Sequence, residues 1–267
     1  MTQFSLKKGC LSGSTLKIIA IIAMAIDHFA ASIILYGILM QQNPSFLGHP
    51  VSMTIPWWNI YQVMRFIGRI GFPVFCFLLI EGFLHTSSKK KYATRLFLFA
   101  LVSEFPFDYA LFNTPFAPGY QNVFFTLFIG LVMMIFLQKI DSKAQKDAGA
   151  WQRTNWKVSV GKLLVIVAAC AVATLLKTDY SAMGILTIVL MYNMRKNKMY
   201  CIGIGCAVLT LLSLNEITCF LAMIPVHFYN GKRGLNLKYP FYAFYPVHLL
   251  VLFAIAAVLG MAGVAVV

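Results

Sequence analysis

The feature that most constrains this chain is a series of apolar stretches, each about 20 residues long, that recurs along the sequence. As α-helices rising about 1.5 Å per residue, such stretches cross a hydrocarbon layer of roughly 30 Å. With 60% hydrophobic and 11% charged residues and a mean hydropathy of +0.78, the composition excludes a soluble globular domain. We therefore predict an all-α, polytopic membrane helix bundle in which residues 1–267 form one integral membrane domain.

The apolar pattern predicts about nine transmembrane helices. They cover residues 16–38, 60–84, 92–112, 121–139, 160–176, 180–194, 199–213, 215–229 and 240–264. The sixth, seventh and eighth are short and closely spaced, so tilted, re-entrant or merged segments are alternatives for that region.

The basic residues orient these helices. All of the 22 lysines and arginines except Arg65, Arg69 and Lys177 fall at alternate ends of the predicted helices, on one side of the membrane. The positive-inside rule makes that side cytoplasmic, which places the N-terminus inside and the C-terminus outside. Topology and anionic lipid explain the net charge of +14, so we expect the lipid bilayer as a partner and no nucleic acid.

Several ionisable residues interrupt the apolar stretches. Those predicted near the bilayer midplane are Asp27, His28, Arg69, Glu104 and His248. A charge facing lipid at helix centre costs roughly 2.5–3.5 kcal/mol, so these side chains must face inward and pair with one another. Adjacent helix positions diverge by about 100°. We therefore expect Asp27 to pair with Arg69 or Arg65 and Glu104 to hold His28.

Prolines lie close to the same residues. Pro73 leaves the carbonyl of Arg69 without its helical partner, and Pro246 precedes His248 by two positions. Broken helices at membrane depth are tolerated where they line a cavity, so a cavity is expected here. The six cysteines form no C-x-x-C pair, and we expect no metal site.

Several motifs resemble the TraX family of membrane proteins, named for the protein that acetylates the N-terminus of conjugative pilin. The blocks IDH (26–28), GRIGFP (68–73), SEFPFD (103–108), NGKRG (230–234) and FYPVHL (244–249) carry the resemblance, which covers nearly the whole chain. A weaker resemblance connects Lys17 and His28, eleven residues apart, to the acyltransferase type 3 group, in which an arginine takes the place of the lysine.

The resemblance implies an acyltransferase of the bacterial cytoplasmic membrane. It would move an acetyl group from cytoplasmic acetyl-CoA to an amine or hydroxyl acceptor, and the acceptor could be a pilin N-terminus, a glycan or a lipid. In this hypothesis His28 is the general base, helped by Glu104, and Asp27 balances Arg69. Arg69, with Tyr245 or His248, would stabilise the developing negative charge.

The donor phosphates should meet basic side chains at the cytoplasmic face. The residues predicted to bind the donor are Lys17, Arg65, Lys232, Arg233, Lys238 and Tyr245. Two other functions remain open: a proton-coupled transporter or flippase, and a non-enzymatic membrane component of a conjugation or secretion apparatus. No internal repeat is visible, which weighs against the transporter.

Overall fold

The computed structural model of the chain describes residues 9–41, 44–147, 156–236 and 238–259. In chain order the helices are α1 (Gly13–Phe29), continued by a π-helix (Ala30–Leu39), α2 (Trp57–Gly68), α3 (Gly71–His85), α4 (Lys89–Phe112), α5 (Val123–Asp147), α6 (Trp156–Leu175), α7 (Ser181–Asn193), α8 (Lys198–Leu212), a 3₁₀ segment (Leu214–Ala222), α9 (Met223–His227) and α10 (Lys238–Val258). Among these residues the sheet is confined to a hairpin of β1 (Ser45–Phe46) and β2 (His49–Pro50). The predicted all-α class is confirmed.

Each predicted span overlaps a helical stretch, but the stretches differ in length. Within the described residues, five are long and apolar enough to cross a membrane: Gly13–Leu39, Trp57–His85, Val123–Gln145, Trp156–Leu175 and Tyr239–Val258. The helices covering 181–193, 198–211 and 214–227 are shorter. The count of nine crossings and the sides of the two termini therefore stay predictions. Lys7, Lys8 and Arg153, which helped to orient the chain, lie outside the described residues.

The second predicted span is two helices rather than one. α2 ends at Gly68 and α3 begins at Gly71, so that Arg69 lies in the turn between them. Pro73 explains the break, because it lacks the N–H that would bond the carbonyl of Arg69 in a continuous helix. Arg69 and Ile70 keep right-handed helical dihedrals in this turn, and the Arg69 amide still donates to the Arg65 carbonyl at 3.2 Å.

The first span changes its winding just beyond its polar residues. α1 begins at an N-cap in which the Ser12 hydroxyl accepts a hydrogen bond from the Thr15 amide, at 3.3 Å. The π-helix starts two residues after His28, and the Ser32 hydroxyl donates to the His28 carbonyl at 2.8 Å. Such wide turns are rare and are frequent at functional sites.

α3 is the centre of the core. Nearly every side chain from Gly71 to Phe83 is buried, and the helix packs against α1, α5, α7 and α8. α6 lies at the periphery, where Leu163 and Leu164 are exposed as expected of a lipid-facing surface. The polar residues of α1 and α2 are thus held against a fixed apolar support.

The helix bundle has two ends, which differ in the residues that they contain. One end, which we call the basic end, contains the start of α1, the end of α3, the starts of α4 and α8, and the loop 228–236. The opposite end contains the loops 113–122 and 176–180, which are joined by a hydrogen bond from the Gln121 amide to the Lys177 carbonyl at 3.0 Å.

Candidate functional site

A cavity of about 570 Å³ extends inward from the basic end, between α1, α3, α4, α5 and α10. This size is typical of small-molecule sites, which hold roughly 300–1,000 Å³. Its charged lining comprises Lys17, Glu81, His85, Lys91, Arg95 and Arg233. Its deep wall is apolar and aromatic, and it comprises Ile21, Met24, Val123, Phe124, Leu127 and Tyr245. The cavity thus offers basic groups at its mouth and an apolar interior.

The predicted donor-binding residues divide into three groups. Lys17, Arg233 and Tyr245 line the cavity. Lys232 and Arg65 do not line it: Lys232 is exposed in the loop 228–236, and Arg65 pairs with Asp27. The side chain of Lys238 lies outside the described part of the structure.

Arg95 adds a basic group that the sequence analysis did not single out. It lines the cavity, and its Nε is buried with no hydrogen-bond partner among the described residues. A buried donor without a partner is costly, so an acceptor from a ligand would stabilise it. Its position in the first turns of α4, close to three successive lysines, could have suggested this role.

The loop 228–236 is fixed to the start of α1 by backbone hydrogen bonds. The Gly13 amide donates to the Lys232 carbonyl at 2.8 Å, and the Ser14 amide donates to the Arg233 carbonyl at 2.9 Å. These bonds satisfy donors that a helix N-terminus leaves free. Gly234 has φ +73°, and a Cβ there would lie 2.2 Å from the Ser14 hydroxyl, so the close approach requires glycine. The result is that Arg233 is held at the mouth.

The cavity wall on α1 leads directly to His28. Lys17, Ile21 and Met24 line the cavity, and their spacing of four and three residues places them on one helix face. His28, four residues beyond Met24, is the next position on that face. His28 itself is not part of the lining, and it lies one helical turn beyond Met24.

The cavity wall on α10 leads to His248 in the same way. Tyr242 and Tyr245 line the cavity, and His248 follows Tyr245 by three residues on the same face. The two helix faces meet where the His28 and His248 rings lie nearly parallel, with centroids 5.0 Å apart. The Tyr245 ring packs edge-on against His28, at 5.8 Å between centroids.

The hydrogen bonds of the histidine pair define its tautomers. Nδ1 of His248 bonds the Phe244 carbonyl at 2.9 Å, so this nitrogen carries a proton. In a neutral ring Nε2 of His248 is then an acceptor, and Nδ1 of His28 donates to it at 2.8 Å. When both rings are neutral, Nε2 of His28 carries no proton, and the described residues give it no hydrogen-bond partner. Its lone pair is free to accept a proton.

Asp27 lies on another side of α1 and belongs to a charged cluster. Its carboxylate pairs with Arg65 at 2.5 Å, which confirms one of the two predicted partners. Arg69 pairs instead with Glu216 of the 3₁₀ segment, at 2.9 Å. Arg65 and Arg69, four residues apart, thus contact different carboxylates on two different elements. The cluster therefore has two ion pairs in place of the single one expected.

The expected contact between Glu104 and His28 is wrong. The side-chain amide of Asn122 donates to the Glu104 carboxylate, and the Asn122 backbone amide lies 3.3 Å from the same oxygen. Asn122 also caps the start of α5, since its Oδ1 accepts from the Phe124 amide at 3.0 Å. Glu104 is thus bound to the loop before α5. His248, and not Glu104, forms the hydrogen bond to His28.

Glu216, for which the sequence predicted no role, is 6% exposed and completes the second ion pair. Two features of the sequence could have suggested this role: Glu216 is a single carboxylate in an apolar segment, and one of the two arginines of the second predicted span had no assigned partner.

Asp179 lies in the loop 176–180, at the end of the bundle opposite the basic end. Burial raises the pKa of Asp179 to about 6, although the hydrogen bond that the Tyr120 hydroxyl donates to it at 2.6 Å lowers this pKa.

Comparison with known proteins agrees with the motifs. The profile of a family described as "TraX protein" matches residues 12–256. The chain is also 27% identical to "Probable fimbrial assembly protein FimC, serogroup H1" of Dichelobacter nodosus, over 90% of this chain and 94% of that protein. No solved structure gives a significant match. The relation to the acyltransferase type 3 group stays a prediction.

Proposed function

The chain belongs to the TraX family, and from this membership and the geometry of its cavity we propose that it is a membrane-embedded acetyltransferase. It takes the acetyl group of acetyl-CoA and transfers it to an amine or hydroxyl acceptor. The observation that carries the proposal is a cavity with a basic mouth, whose lining faces on α1 and α10 continue one helical turn further to the histidine pair. One binding site and one unprotonated base are thus connected.

The cavity suits a donor that has a charged head and a narrow arm. Lys17, Arg95 and Arg233 supply cationic donors for phosphate groups at the mouth. The apolar interior accepts an uncharged arm and excludes water from the thioester. Since acetyl-CoA is made in the cytoplasm, the basic end would face the cytoplasm, in agreement with the positive-inside rule.

His28 is the general base in this proposal. Its Nε2 takes the proton of the attacking acceptor as the acceptor forms a bond to the thioester carbonyl. The carbon–sulfur bond then breaks, and the imidazolium returns the proton to the departing thiolate of CoA. His248 holds the tautomer that exposes Nε2 of His28, because its own Nε2 accepts the hydrogen bond from Nδ1–H of His28 throughout.

The charged cluster has a different role. Asp27, Arg65, Arg69 and Glu216 hold α1, α2 and the 3₁₀ segment together through their ion pairs. Because the Arg69 guanidinium is already paired, we assign it no oxyanion contact, and we assign the same structural role to Asp27. Glu104 anchors the loop before α5.

The relatives favour one class of acceptor. A fimbrial assembly protein is similar over nearly the whole chain, which favours a pilin subunit as the acceptor and a place in the bacterial cytoplasmic membrane. A glycan or lipid hydroxyl remains the alternative acceptor. A non-enzymatic assembly component makes no use of a basic cavity beside a histidine, and the absence of a visible internal repeat weighs against the transporter.

The direct test incubates the purified protein in nanodiscs with labelled acetyl-CoA, and scores thioester cleavage and transfer of label to a pilin N-terminal peptide. We expect both to require the protein. Movement of solute in sealed vesicles without donor, combined with an intact thioester, would support the transporter. Label on lipid or glycan fractions in place of the peptide would retain the enzyme and change its acceptor.

A matched pair of variants tests donor binding. Arg233→Gln removes a charge from the mouth, whereas Lys232→Gln removes the neighbouring charge outside the cavity. We expect Arg233→Gln to raise KM for acetyl-CoA by about tenfold, a loss typical of a charged contact, and to make it less sensitive to salt. Lys232→Gln should leave KM near the wild-type value. Equal effects of the two variants would contradict the assigned contact.

A further inference from the structure

We propose that the ring of Tyr245 limits the acyl group to two carbons, an inference that rests on the proposed acetyl transfer. Tyr245 is 3% exposed and lies where the deep wall of the cavity meets the histidine pair. Its ring centroid is 5.8 Å from that of His28 and 5.5 Å from that of His248. Any acyl carbon that reaches Nε2 of His28 from the cavity must pass beside this ring.

The ring is held in place by a firm apolar support. The Phe124 ring packs edge-on against Tyr245 at 4.9 Å between centroids. Tyr245 also belongs to a buried cluster with Phe107 and Leu249, against which Met24 packs. Side chains in such a close-packed cluster cannot move aside at low cost. The space available to the acyl group beside Tyr245 is therefore fixed.

A fixed wall discriminates by length. Each additional methylene in an apolar pocket changes kcat/KM by about 10–200-fold when the pocket cannot accommodate it. With Tyr245 present, a butyryl group would have to displace the ring or leave the carbonyl carbon short of His28. The ring acts as a specificity determinant, and its hydroxyl is not needed for that effect.

The experiment compares acetyl-CoA with butyryl-CoA as donors for the wild-type protein and for Tyr245→Leu, Tyr245→Phe and Phe124→Leu. We expect Tyr245→Leu to raise the butyryl to acetyl ratio of kcat/KM by about tenfold or more. Phe124→Leu, which removes the support of the ring, should change the ratio in the same direction by a smaller factor. Tyr245→Phe retains the ring and should keep the wild-type ratio.

The outcomes separate this inference from the function on which it depends. If the wild-type protein transfers acetyl and neither leucine variant changes the ratio, the role of Tyr245 is wrong and the acetyltransferase stands. If Tyr245→Phe shifts the ratio as much as Tyr245→Leu, the hydroxyl is responsible and the length limit is wrong. If the wild-type protein cleaves neither thioester, the proposed function fails, and the inference with it. Should Tyr245→Leu not fold, the Phe124→Leu ratio decides.

Discussion

Asp27 and His28 are neighbours in the sequence, yet they belong to two different environments. Asp27 faces α2 and is neutralised by Arg65, with the second ion pair of Arg69 close by. His28 faces α10, where it bonds a neutral histidine and keeps one nitrogen free beside a cavity. The rotation of about 100° between adjacent helix positions is enough to separate them.

Polar residues in the apolar helices of this chain fall into two kinds, those whose charge is paired and those that keep an unpaired polar atom. Charged groups that find an opposite charge are satisfied, and they hold helices together. The histidine is instead held in one tautomer by a chain of hydrogen bonds that ends at the Phe244 carbonyl, and its remaining nitrogen is unsatisfied. An unsatisfied group at the end of a cavity is available for chemistry.

The largest effect expected from this contrast is the loss of the base. His28→Gln should lower kcat for acetyl transfer by about 10²–10⁴-fold, because general-base catalysis contributes that much. KM for acetyl-CoA and the thermal unfolding temperature should stay close to wild type. His49→Gln, in the exposed hairpin far from the cavity, serves as the control. Full activity in His28→Gln would refute the assignment.

A smaller effect is expected at the residue that sets the tautomer. His248→Phe keeps an aromatic ring but removes the acceptor of the His28 proton, so both tautomers of His28 become accessible. We expect kcat to fall by about 10–100-fold, as when a ligand-orienting group is lost. His248→Gln offers an acceptor again and should recover part of the rate. The pH profile should shift in His248→Phe, whereas a purely structural role would leave it unchanged.

The ion pair should affect stability more than chemistry. Asp27→Asn leaves Arg65 without a partner in a largely buried site. The expected loss lies at the lower end of roughly 3–5 kcal/mol for a broken buried pair, since the Arg65 side chain is 22% exposed. The double variant Asp27→Asn with Arg65→Gln should recover much of this stability. Unfolding in nanodiscs measures both, and an unchanged pH profile of turnover distinguishes Asp27→Asn from His248→Phe.

The smallest effect should come from a glycine that gives Asp27 its space. A Cβ at Gly68 would lie 2.2 Å from Oδ1 of Asp27, whereas a Cβ at Gly71 would be 3.5 Å from the Ala20 carbonyl. Gly68→Ala should therefore weaken the ion pair and lower the unfolding temperature by less than Asp27→Asn, because α2 can shift. Gly71→Ala is the matched control. Equal unfolding temperatures for the two alanine variants would count against the close packing.

The sequence predicted the all-α class and the position of each helical stretch because apolar length and proline placement are local properties. It also predicted that Asp27 pairs with an arginine, since an unpaired charge in an apolar helix is costly. Arg233, which the sequence assigns to donor binding, lines the cavity, and its contact with a donor stays a prediction.

The partners of His28 and Arg69 could not be predicted from the sequence. Which helices are adjacent in space decides that His248 contacts His28 and that Glu104 contacts Asn122. The break between α2 and α3 turns Arg69 toward Glu216, in a segment more than a hundred residues away. Such choices depend on the packing of α10 and the 3₁₀ segment, about which local patterns carry no information.

¹⁵N NMR can decide whether His28 has an unprotonated Nε2 beside the proposed donor-binding cavity. The protein is labelled at its histidines, and the His28 signals are assigned by comparison with His28→Gln. We expect the His28 ring to have a protonated Nδ1 and a proton-free Nε2. The chemical shift of Nε2 should change when acetyl-CoA is added. A proton on Nε2, or a chemical shift that stays unchanged at saturating acetyl-CoA, would refute the proposed role of His28.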